Sequence, residues 1–414
     1  MTDCTPGLWS GVCFLGEAMR LIGQEVTIIG AGVAGLAAAR ALALRGARVT
    51  VLEQADKIRE VGAGLQISPN GAAVLRALGL QAALDAASMR AEAVELIDGI
   101  SGAGVTRLNL ARLRPDQGYH FLHRSDLIDM LLRAATEAGV TVHLLSRIDA
   151  VDLTGAQPAV TLESGERTPT PLLIGADGLH SRVRLALNGE EQPFFTGQVA
   201  WRAVIPAEPG ARPVAEVHMG PGRHLVSYPL RGGTLRNIVA VEERKRWAEE
   251  SWTLRDDSMD LRLAFAGFSP RVTGWLDQVE DPWLWGLFRH KVAATWAKAM
   301  GQGGAVILGD AAHPTLPFLA QGASMGLEDA WVLAEALARN DTVASALVAY
   351  QTARKPRCTR IVAAANANAR AYHLSGLPKI IGHSGLRLLG RVAPSTMLGR
   401  FDWLYGHDVT QGDG

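Results

Sequence analysis

Two side chains four residues apart in the segment GRHLVSYPL could together move a proton. They are His224 and Tyr228. If the segment is a strand, both side chains lie on the same face and line one wall of a pocket. An imidazole titrates near neutral pH, so His224 is a candidate general base, with Tyr228 orienting a substrate or relaying its proton. Taken alone, the pair fits a buried, hydrogen-bonded structural pair better, so its interpretation depends on the rest of the chain.

A glycine-rich turn near the start of the chain has the spacing of a phosphate-binding turn. Gly30, Gly32 and Gly35 stand in VTIIGAGVAGLAAARALALRGARVTVLE, and Glu53 closes the second apolar run. The first glycine permits a tight turn, the second lets the backbone approach a pyrophosphate, and the third lets the helix pack on the strand. Glu53 can accept both ribose hydroxyls, and a carboxylate there disfavours a 2′-phosphate. The spacing predicts an adenine dinucleotide of the FAD or NAD type, and the fingerprint alone does not decide between the two.

Helix and strand patterns alternate around this turn, as in a doubly wound α/β unit. From about residue 196 the pattern changes to short apolar stretches with frequent glycine and proline, which predicts antiparallel strands. Near residue 305 the α/β pattern returns. The fold class is therefore α/β with an α+β insertion: a discontinuous Rossmann-like dinucleotide-binding domain, an inserted antiparallel β-sheet substrate domain and a C-terminal helical segment.

The changes in pattern also give the boundaries. We expect an N-terminal extension over 1–18, the dinucleotide-binding domain over 19–195 and 294–374, the substrate domain over 196–293, and the helical segment over 375–414. Apolar positions of the last segment could cover the dinucleotide-binding domain or form a dimer contact; they are Ile380, Leu386, Leu389 and Leu398.

Two further acidic and glycine-containing turns follow apolar runs. Asp177 stands in LLIGADGLHSRVR, and Gly309 and Asp310 stand in VILGDAAHPTLPFLAQG. Together with the glycine fingerprint, these turns resemble the three signature motifs of the single-component FAD-dependent aromatic hydroxylases, the p-hydroxybenzoate hydroxylase family. The resemblance extends from residue 24 to about residue 408. The His224 and Tyr228 segment, PFLAQG and FDWLYGHDV are most similar to the salicylate hydroxylase and 3-hydroxybenzoate 6-hydroxylase branch.

The resemblance implies a bound FAD. Asp310 would accept hydrogen bonds from the ribityl hydroxyls, and Arg124 would reach the ribityl and pyrophosphate region. Gly322 and Ala323 open a helix whose N–H groups would face the N1/C2 oxygen edge of the isoalloxazine. Asp177 either contacts FAD and the pyridine nucleotide or forms a purely structural turn. The full set of predicted cofactor-binding residues is Gly30, Gly32, Gly35, Glu53, Gly64, Gln66, Arg124, Asp177, Gly309, Asp310, Gly322 and Ala323.

The activity that the resemblance implies is an FAD-dependent monooxygenase reaction. NADH or NADPH and O₂ would be consumed to hydroxylate a small aromatic acid or phenol through a flavin C4a-hydroperoxide. Such a reaction needs a base near the phenol, which favours the catalytic reading of His224 and Tyr228, while Pro317 would shape the substrate wall. There is no second GxGxxG, so the reductant would bind transiently, and the lack of a conspicuous basic cluster favours NADH.

Two other functions remain open from the sequence. The same scaffold could oxygenate a larger polycyclic, quinone-precursor or xenobiotic substrate. A protein that binds FAD without oxygenation, for redox sensing or as an interaction module, would share the cofactor motifs.

The remaining histidines carry weaker expectations. His313 fits a structural role as well as a catalytic one, and His290, His373 and His383 are expected on the surface. The spacing of His, Asp and Glu suggests no metal site. Arg59 fits a cofactor contact or a solvated helix end.

Composition excludes several classes of function. The 41 basic and 41 acidic residues give a net charge of zero, so no global field points to nucleic acid. The sequence contains no run of eighteen apolar residues, so it predicts no membrane span. Residues 1–18 make a poor signal peptide. Three dispersed cysteines suggest a reducing cytoplasm. We therefore expect a cytoplasmic enzyme with no nucleic-acid or membrane partner, as a monomer or a homodimer.

Overall fold

The computed structural model describes residues 21–58, 63–244 and 254–411. The expected N-terminal extension and Arg59 lie outside these ranges. The strands, in chain order, are β1 (Glu25–Ile29), β2 (Arg48–Leu52), β3 (Gly64–Ile67), β4 (Met89–Arg90), β5 (Ala93–Asp98), β6 (Gly104–Asn109), β7 (His120–His123), β8 (Thr141–His143), β9 (Ile148–Asp152), β10 (Ala159–Leu162), β11 (Arg167–Pro169), β12 (Leu172–Gly175), β13 (Phe194–Pro206), β14 (Val214–Gly220), β15 (Arg223–Leu230), β16 (Leu235–Glu243), β17 (Trp283–Arg289), β18 (Ala297–Met300) and β19 (Gly303–Ile307). The α-helices are α1 (Val33–Ala43), α2 (Pro69–Ala77), α3 (Gln81–Ala87), α4 (Leu110–Leu113), α5 (Arg124–Glu137), α6 (Arg182–Asn188), α7 (Ser258–Phe265), α8 (Pro270–Leu276), α9 (Gly322–Arg339), α10 (Val343–Tyr372), α11 (Gly376–Val392), α12 (Pro394–Gly399) and α13 (Asp402–Tyr405).

A six-stranded sheet carries the predicted turns. Its order is β18-β19-β12-β1-β2-β8, parallel except for the edge strand β18. Strand β1 lies between β2 and β12, so the strand order reverses there, and ligands of such sheets bind at the carboxyl ends of the strands near that reversal. Gly30 follows β1, Glu53 follows β2, Asp177 follows β12 and Gly309 follows β19. The predicted Rossmann-like α/β fold is confirmed, with all four turns at one edge of the sheet.

Small residues allow the helices beside this sheet to pack closely against one another. Helix α1 buries a run of alanines, Ala37 to Ala39 and Ala41, and packs against α9 and α5. A Cβ added at Gly326 of α9 would lie 3.0 Å from the Cβ of Ala34. Bulkier side chains at these positions would separate α9 from α1, and with it the N-terminus of α9 from the glycine-rich turn.

A seven-stranded sheet lies beside this unit. Its order is β17-β13-β16-β15-β14-β5-β6, antiparallel except for the pair β14 and β5. Four of the strands, β13 to β16, are the expected antiparallel strands: β14, β15 and β16 pair in chain order, and β13 pairs with β16. Strands β5 and β6 come from outside the range 196–293 in which sheet residues were expected. Pairing between segments more than a hundred residues apart leaves no mark in a local pattern, which is why the sequence did not indicate it.

Each face of the seven-stranded sheet has a different cover. One face packs against α7 and α8 through a cluster that includes Trp201, Phe265 and Trp275. Near the other face, α11 packs against β6, where a Cβ on Gly390 would lie 2.0 Å from Oγ1 of Thr106. Among the helices in the described ranges, none has both the length and the apolar character that crossing a bilayer requires.

Candidate active site

One cavity of about 720 Å³ lies between the two sheets and under the C-terminal helices. It brings together most of the residues singled out from the sequence. Those that line it are Gly32, Gly64, Gln66, Arg124, Gly309, Asp310, Pro317, Gly322, Ala323, His224 and Tyr228. Gly30, Glu53 and Asp177 do not line it and lie in the turns behind it, and Gly35 lies in the first turn of α1. Leu386, Leu389 and Leu398 of the C-terminal segment line the cavity, whereas Ile380 is exposed, so this segment closes the cavity.

The three fingerprint glycines have different reasons to be glycine. Gly30 has φ +99°, and a Cβ there would lie 2.5 Å from the carbonyl oxygen of Ala176. A Cβ on Gly35 would lie 2.0 Å from the carbonyl oxygen of Gly30. A Cβ on Gly32 would meet no atom of the described residues within 4 Å. The first and third glycines therefore shape the turn, and the second leaves open space on the cavity side for a ligand.

Two carboxylates hold the neighbouring turns. Glu53 accepts the backbone N–H of Ala31 at 2.8 Å through Oε2 and that of Ala55 at 2.9 Å through Oε1. Each oxygen keeps a further lone pair that a ribose hydroxyl could use. Asp177 accepts the N–H of Arg182, the first residue of α6, at 2.8 Å through Oδ2. Its Oδ1 is buried and has no hydrogen-bond partner in the part of the chain that the structure describes, and burial raises the pKa of this carboxyl.

A buried polar cluster positions the turn that carries Asp310. The N–H of Gly309 donates to Oδ2 of Asp329 at 2.9 Å, and the same carboxylate binds Nε2 of His313 and Nε of Arg354. Burial opposes a charge on His313, but the adjacent Asp329 carboxylate raises its pKa well above the usual range. His313 therefore pairs with Asp329 behind the turn that carries Asp310, which is a structural contact. Burial raises the pKa of Asp310, which lines the cavity.

One group in the described part of the chain has its potential metal-ligand atoms close together. His313, Asp329 and Cys358 offer atoms that lie within 4.8 Å of one another. The spacing rules for metal motifs did not find this group, because its members come from different helices and turns. Arg354 donates to both Asp329 and Cys358, so a guanidinium already occupies the place of a cation.

The N-terminus of α9 is fixed by a second polar cluster that the sequence did not reveal. Gln321, the residue before α9, donates from Nε2 to Oγ of Ser68 at 2.8 Å. Asn70 donates from Nδ2 to Gln321 at 3.1 Å and to Glu328 at 2.7 Å. Ala320 has the left-handed φ of +52°, which costs a residue other than glycine on the order of 1 kcal/mol. The cluster holds the helix N-terminus, with Gly322 and Ala323, against the cavity.

Tyr228 lies in an aromatic and glycine-lined corner. Its ring stacks on Phe121 at 5.0 Å between centroids, and burial raises its pKa, so it is a neutral hydroxyl. Gly64 comes so close that an added Cβ would lie 2.9 Å from the tyrosine ring. Gln66 accepts the hydroxyl hydrogen of Tyr119 at 2.6 Å. The turn-rich passage around Gly64 thus needs glycine because the substrate-side sheet approaches its backbone.

His224 is 2% exposed and bonds to a residue that was expected on the surface. Its Nδ1 lies 2.7 Å from Nε2 of His373, whose Nδ1 lies 2.6 Å from Oε1 of Glu243. Burial lowers the pKa of His224 well below its usual range, and the neighbouring His373 lowers it further. The Nδ1 atom is engaged, so Nε2 is the nitrogen left for a ligand in the cavity that His224 lines.

The surface expectation was wrong for all three remaining histidines. His373 is buried at the end of α10, which docks on the turn before β15; His383 is buried beside Asp98; and His290 is half-buried and lines the cavity. His290 lies between Arg289 and Lys291, and His373 and His383 stand in segments with a helical pattern. Contacts with distant elements bury them, and a local pattern does not show such contacts.

Arg202 is a cavity residue that the sequence analysis missed. Arg202 pairs with Val239 of β16, and Val239 pairs with Val226 of β15. Val226 lies two residues from both His224 and Tyr228, so Arg202 is on the same face of the sheet as these two residues. The guanidinium stacks on the ring of Trp285 at 4.0 Å, and burial lowers its pKa to about 10. Its Nε is buried and has no hydrogen-bond partner among the described residues. The sequence signal that could have identified Arg202 is a single arginine within an apolar strand.

These features suit an adenine dinucleotide whose far end reaches the substrate wall. Gly32 leaves open space at the glycine-rich turn, and one cavity runs from that turn to His224. Oδ1 of Asp177 is buried and no described residue forms a hydrogen bond with it. The residues present therefore fit FAD.

Residues 24–365 match the model of a family described as the FAD binding domain. This chain belongs to that family. It is 32% identical over 396 residues to the 3-amino-4-hydroxybenzoate 2-monooxygenase PtnB3 of Streptomyces platensis, covering 93% of this chain and 96% of that protein. It is 33% identical over 395 residues to the 3-hydroxybenzoate 6-hydroxylase of Polaromonas naphthalenivorans, with the same coverage. These matches confirm that the chain is an FAD-dependent aromatic hydroxylase.

The fold is shared with solved structures. The structure of Klebsiella pneumoniae HpxO complexed with FAD and uric acid has a TM-score of 0.77 at 24% identity, covering 91% of this chain and 97% of that one. The combination of a six-stranded parallel sheet and a seven-stranded sheet is thus the fold of known flavoproteins.

Proposed function

We propose that this protein hydroxylates a small aromatic acid or phenol, of salicylate or hydroxybenzoate size, with FAD, NAD(P)H and O₂. The observation that carries the proposal is the sheet face that places His224, Tyr228 and Arg202 in the same cavity as the FAD turns. A base, a hydroxyl and a guanidinium on one apolar wall match a ligand that has a phenol, a ring and a carboxylate.

We assign the binding of FAD to turns at the carboxyl ends of the strands, to Arg124 and to the N-terminus of α9. Gly32 and the N-terminus of α1 would take the pyrophosphate, Glu53 the adenosine ribose, Asp310 and Arg124 the ribityl region, and Gly322 and Ala323 the isoalloxazine edge. Bound FAD supplies the redox chemistry, since it accepts a hydride from NAD(P)H and makes O₂ reactive towards an electron-rich ring carbon.

The protein groups raise the reactivity of the ring. Nε2 of His224 takes the phenol proton, because a buried neutral imidazole is a base. The neutral hydroxyl of Tyr228 donates to the resulting oxyanion or orients the ring. Arg202 binds the carboxylate, an anion that would supply the hydrogen-bond partner that its buried Nε lacks among the described residues. Apolar side chains of the same sheet face, among them Val226 and Val239, exclude water from the ring.

The available space favours a small substrate. A cavity of about 720 Å³ must take both the flavin end of FAD and the substrate, while ordinary ligand pockets span roughly 300–1,000 Å³. The relatives named above act on single-ring hydroxybenzoates, as their names state. The substrate is therefore a single ring in preference to a polycyclic phenol. We also propose NADH as the reductant, because the sequence has no conspicuous basic cluster, and the cytoplasm as the location, because three dispersed cysteines suggest a reducing compartment.

The test is a panel of single-ring hydroxybenzoates, matched benzoates without the hydroxyl, and bulky polycyclic phenols. The purified protein should be yellow, and a hydroxybenzoate should stimulate its NADH oxidation and yield a ring-hydroxylated product, while the matched benzoate yields none. Product from the polycyclic phenols alone would move the assignment to a larger substrate. Flavin-loaded protein that no phenol stimulates would contradict the proposal and favour a flavoprotein without oxygenase activity.

A further inference from the structure

A continuous row of three side chains leads from the cavity to the protein surface. His224 lines the cavity, bonds to His373 at 2.7 Å, and His373 bonds to Glu243 at 2.6 Å. The carboxylate of Glu243 is 51% exposed. We propose that His224, His373 and Glu243 form a proton path that exchanges the substrate's phenol proton with solvent while the cavity stays closed. The inference rests on the proposed function, because it needs a phenol at His224.

Three elements meet to hold this row in place. His224 lies on β15, Glu243 ends β16, and His373 follows the last turn of α10. The turn at Gly222 ties them together, since its N–H donates to the carbonyl of His373 at 3.3 Å and its carbonyl accepts the N–H of Glu243 at 2.8 Å. The helix end is thus anchored by backbone bonds, and the two imidazoles stand 4.9 Å apart between ring centroids.

The surroundings keep both imidazoles neutral, which a path of this kind requires. Burial lowers the pKa of both histidines; Glu243 opposes the shift at His373, and Arg223 adds to it. Among the described residues at this hairpin end, Glu242 pairs with Arg223 at 3.4 Å and with Arg244 at 3.6 Å. The other rings beside His224 are those of Phe318 and Tyr372. A neutral imidazole has one N–H and one lone pair, so it can accept a proton on one nitrogen and release another from the second.

The proton balance closes without any further reactant. The phenol O–H bond breaks as its proton binds Nε2 of His224, and the proton on Nδ1 of His224 passes to Nε2 of His373. The proton on Nδ1 of His373 passes to Oε1 of Glu243, which releases it to water. One proton enters and one leaves, and both histidines exchange tautomers. Return of a proton along the same row to the hydroxylated product restores the starting tautomers.

His373 and Glu243 act through His224, so they are positioning residues with a proton-transfer role. A purely structural role would require only that His373 hold the ring of His224. Glutamine at position 373 can still donate and accept hydrogen bonds but cannot exchange tautomers on this time scale. Glutamine at position 243 keeps the shape of the exposed end and removes its proton acceptor.

The experiment measures proton release when FAD-loaded protein is mixed with a hydroxybenzoate that the wild type hydroxylates. A pH-indicator dye in weak buffer follows the proton by stopped flow, and flavin absorbance reports FAD content and substrate affinity.

The variants are Glu243→Gln, His373→Gln and Glu243→Ala, with Glu242→Gln as the matched control, because it removes a neighbouring carboxylate outside the row. The wild type and the control should release one proton at the same rate. Glu243→Gln and His373→Gln should do so at least about tenfold more slowly with FAD and substrate still bound. Acetate should restore the rate in Glu243→Ala, since the position is half exposed.

The possible results distinguish failure of the proton path from failure of the proposed function. If Glu243→Gln releases the proton at the rate of Glu242→Gln, the path is overturned and the proposed function stands. The same holds if the wild type hydroxylates its substrate without releasing a proton. If His373→Gln loses FAD, the two Glu243 variants decide the question alone. If no phenol stimulates NADH oxidation by the wild type, the proposed function fails and the path fails with it.

Discussion

At the scale of single residues, the chemistry of the cavity wall follows from which groups burial leaves neutral and which it leaves charged. Burial lowers the pKa of His224 and raises that of Tyr228, so both are uncharged at neutral pH. Arg202 keeps its charge, since burial lowers its pKa only to about 10. The wall therefore combines a base and a hydroxyl, both neutral, with a fixed cation.

His224→Ala should lower the rate of hydroxylation by about 10²–10⁴-fold, because general bases contribute that much. Tyr228→Phe keeps the stacking on Phe121 and should lower the rate less. Steady-state product formation measures both, and the flavin absorbance of the purified variants should match the wild type. Ala in place of the exposed His143 is the control. Loss of flavin in the His224 and Tyr228 variants would assign the pair a structural role.

Arg202→Met removes the guanidinium but keeps an apolar stem against Trp285. A hydrogen bond to a charged group contributes about 1.5–3 kcal/mol, so KM for a hydroxybenzoate should rise roughly 10- to 100-fold. KM for the corresponding phenol without a carboxylate should stay unchanged. Equal increases in KM for both substrates would show that Arg202 does not bind the carboxylate. Loss of flavin would show that Arg202 contacts the cofactor.

At the scale of elements, the glycine-rich turn offers a matched pair of substitutions. Gly32→Ala should fold with the thermal stability of the wild-type apoprotein but bind FAD poorly, because the new methyl group enters open space on the cavity side. Gly35→Ala should fail to fold stably, since its Cβ would overlap the carbonyl of Gly30. Thermal unfolding of apoprotein and fluorescence titration with FAD measure the two effects. A Gly32→Ala protein with wild-type FAD affinity would contradict the assignment of this turn to the pyrophosphate.

The contrast between these elements explains how far the sequence could be interpreted. The turns at Gly30, Asp177 and Gly309 were predictable because each is local: glycine spacing and a flanking apolar run define it. Three other features were not predictable. They are the pairing of β5 with β14, the burial of His373 at the end of α10, and the cluster of Ser68, Asn70 and Gln321. Each depends on contacts between segments more than a hundred residues apart, about which local patterns carry no information.

At the scale of the whole molecule, acid should weaken the fold through buried neutral histidines. His120 is 3% exposed, and burial lowers its pKa to about 4. The unfolded chain takes up a proton near pH 6.5 and the folded chain only near pH 4, so the free energy of unfolding falls as pH falls through that window. A shift of this size corresponds to roughly 3 kcal/mol. Urea unfolding at pH 7 and pH 4.5 should show a smaller loss in His120→Gln than in the wild type. Replacement of the exposed His143 should leave the loss unchanged, and identical losses in all three proteins would contradict the prediction.

The central claim, that the cavity joins a flavin site to an aromatic-acid site for oxygen transfer, is tested most directly with isotopically labelled oxygen. The FAD-loaded protein is supplied with NADH, ¹⁸O₂ and the hydroxybenzoate that most stimulates NADH oxidation, and the product is analysed by mass spectrometry. The account predicts a ring-hydroxylated product with one labelled oxygen atom, formed in proportion to the NADH consumed. NADH consumption that yields only hydrogen peroxide, with no labelled product from any aromatic acid or phenol, would contradict it.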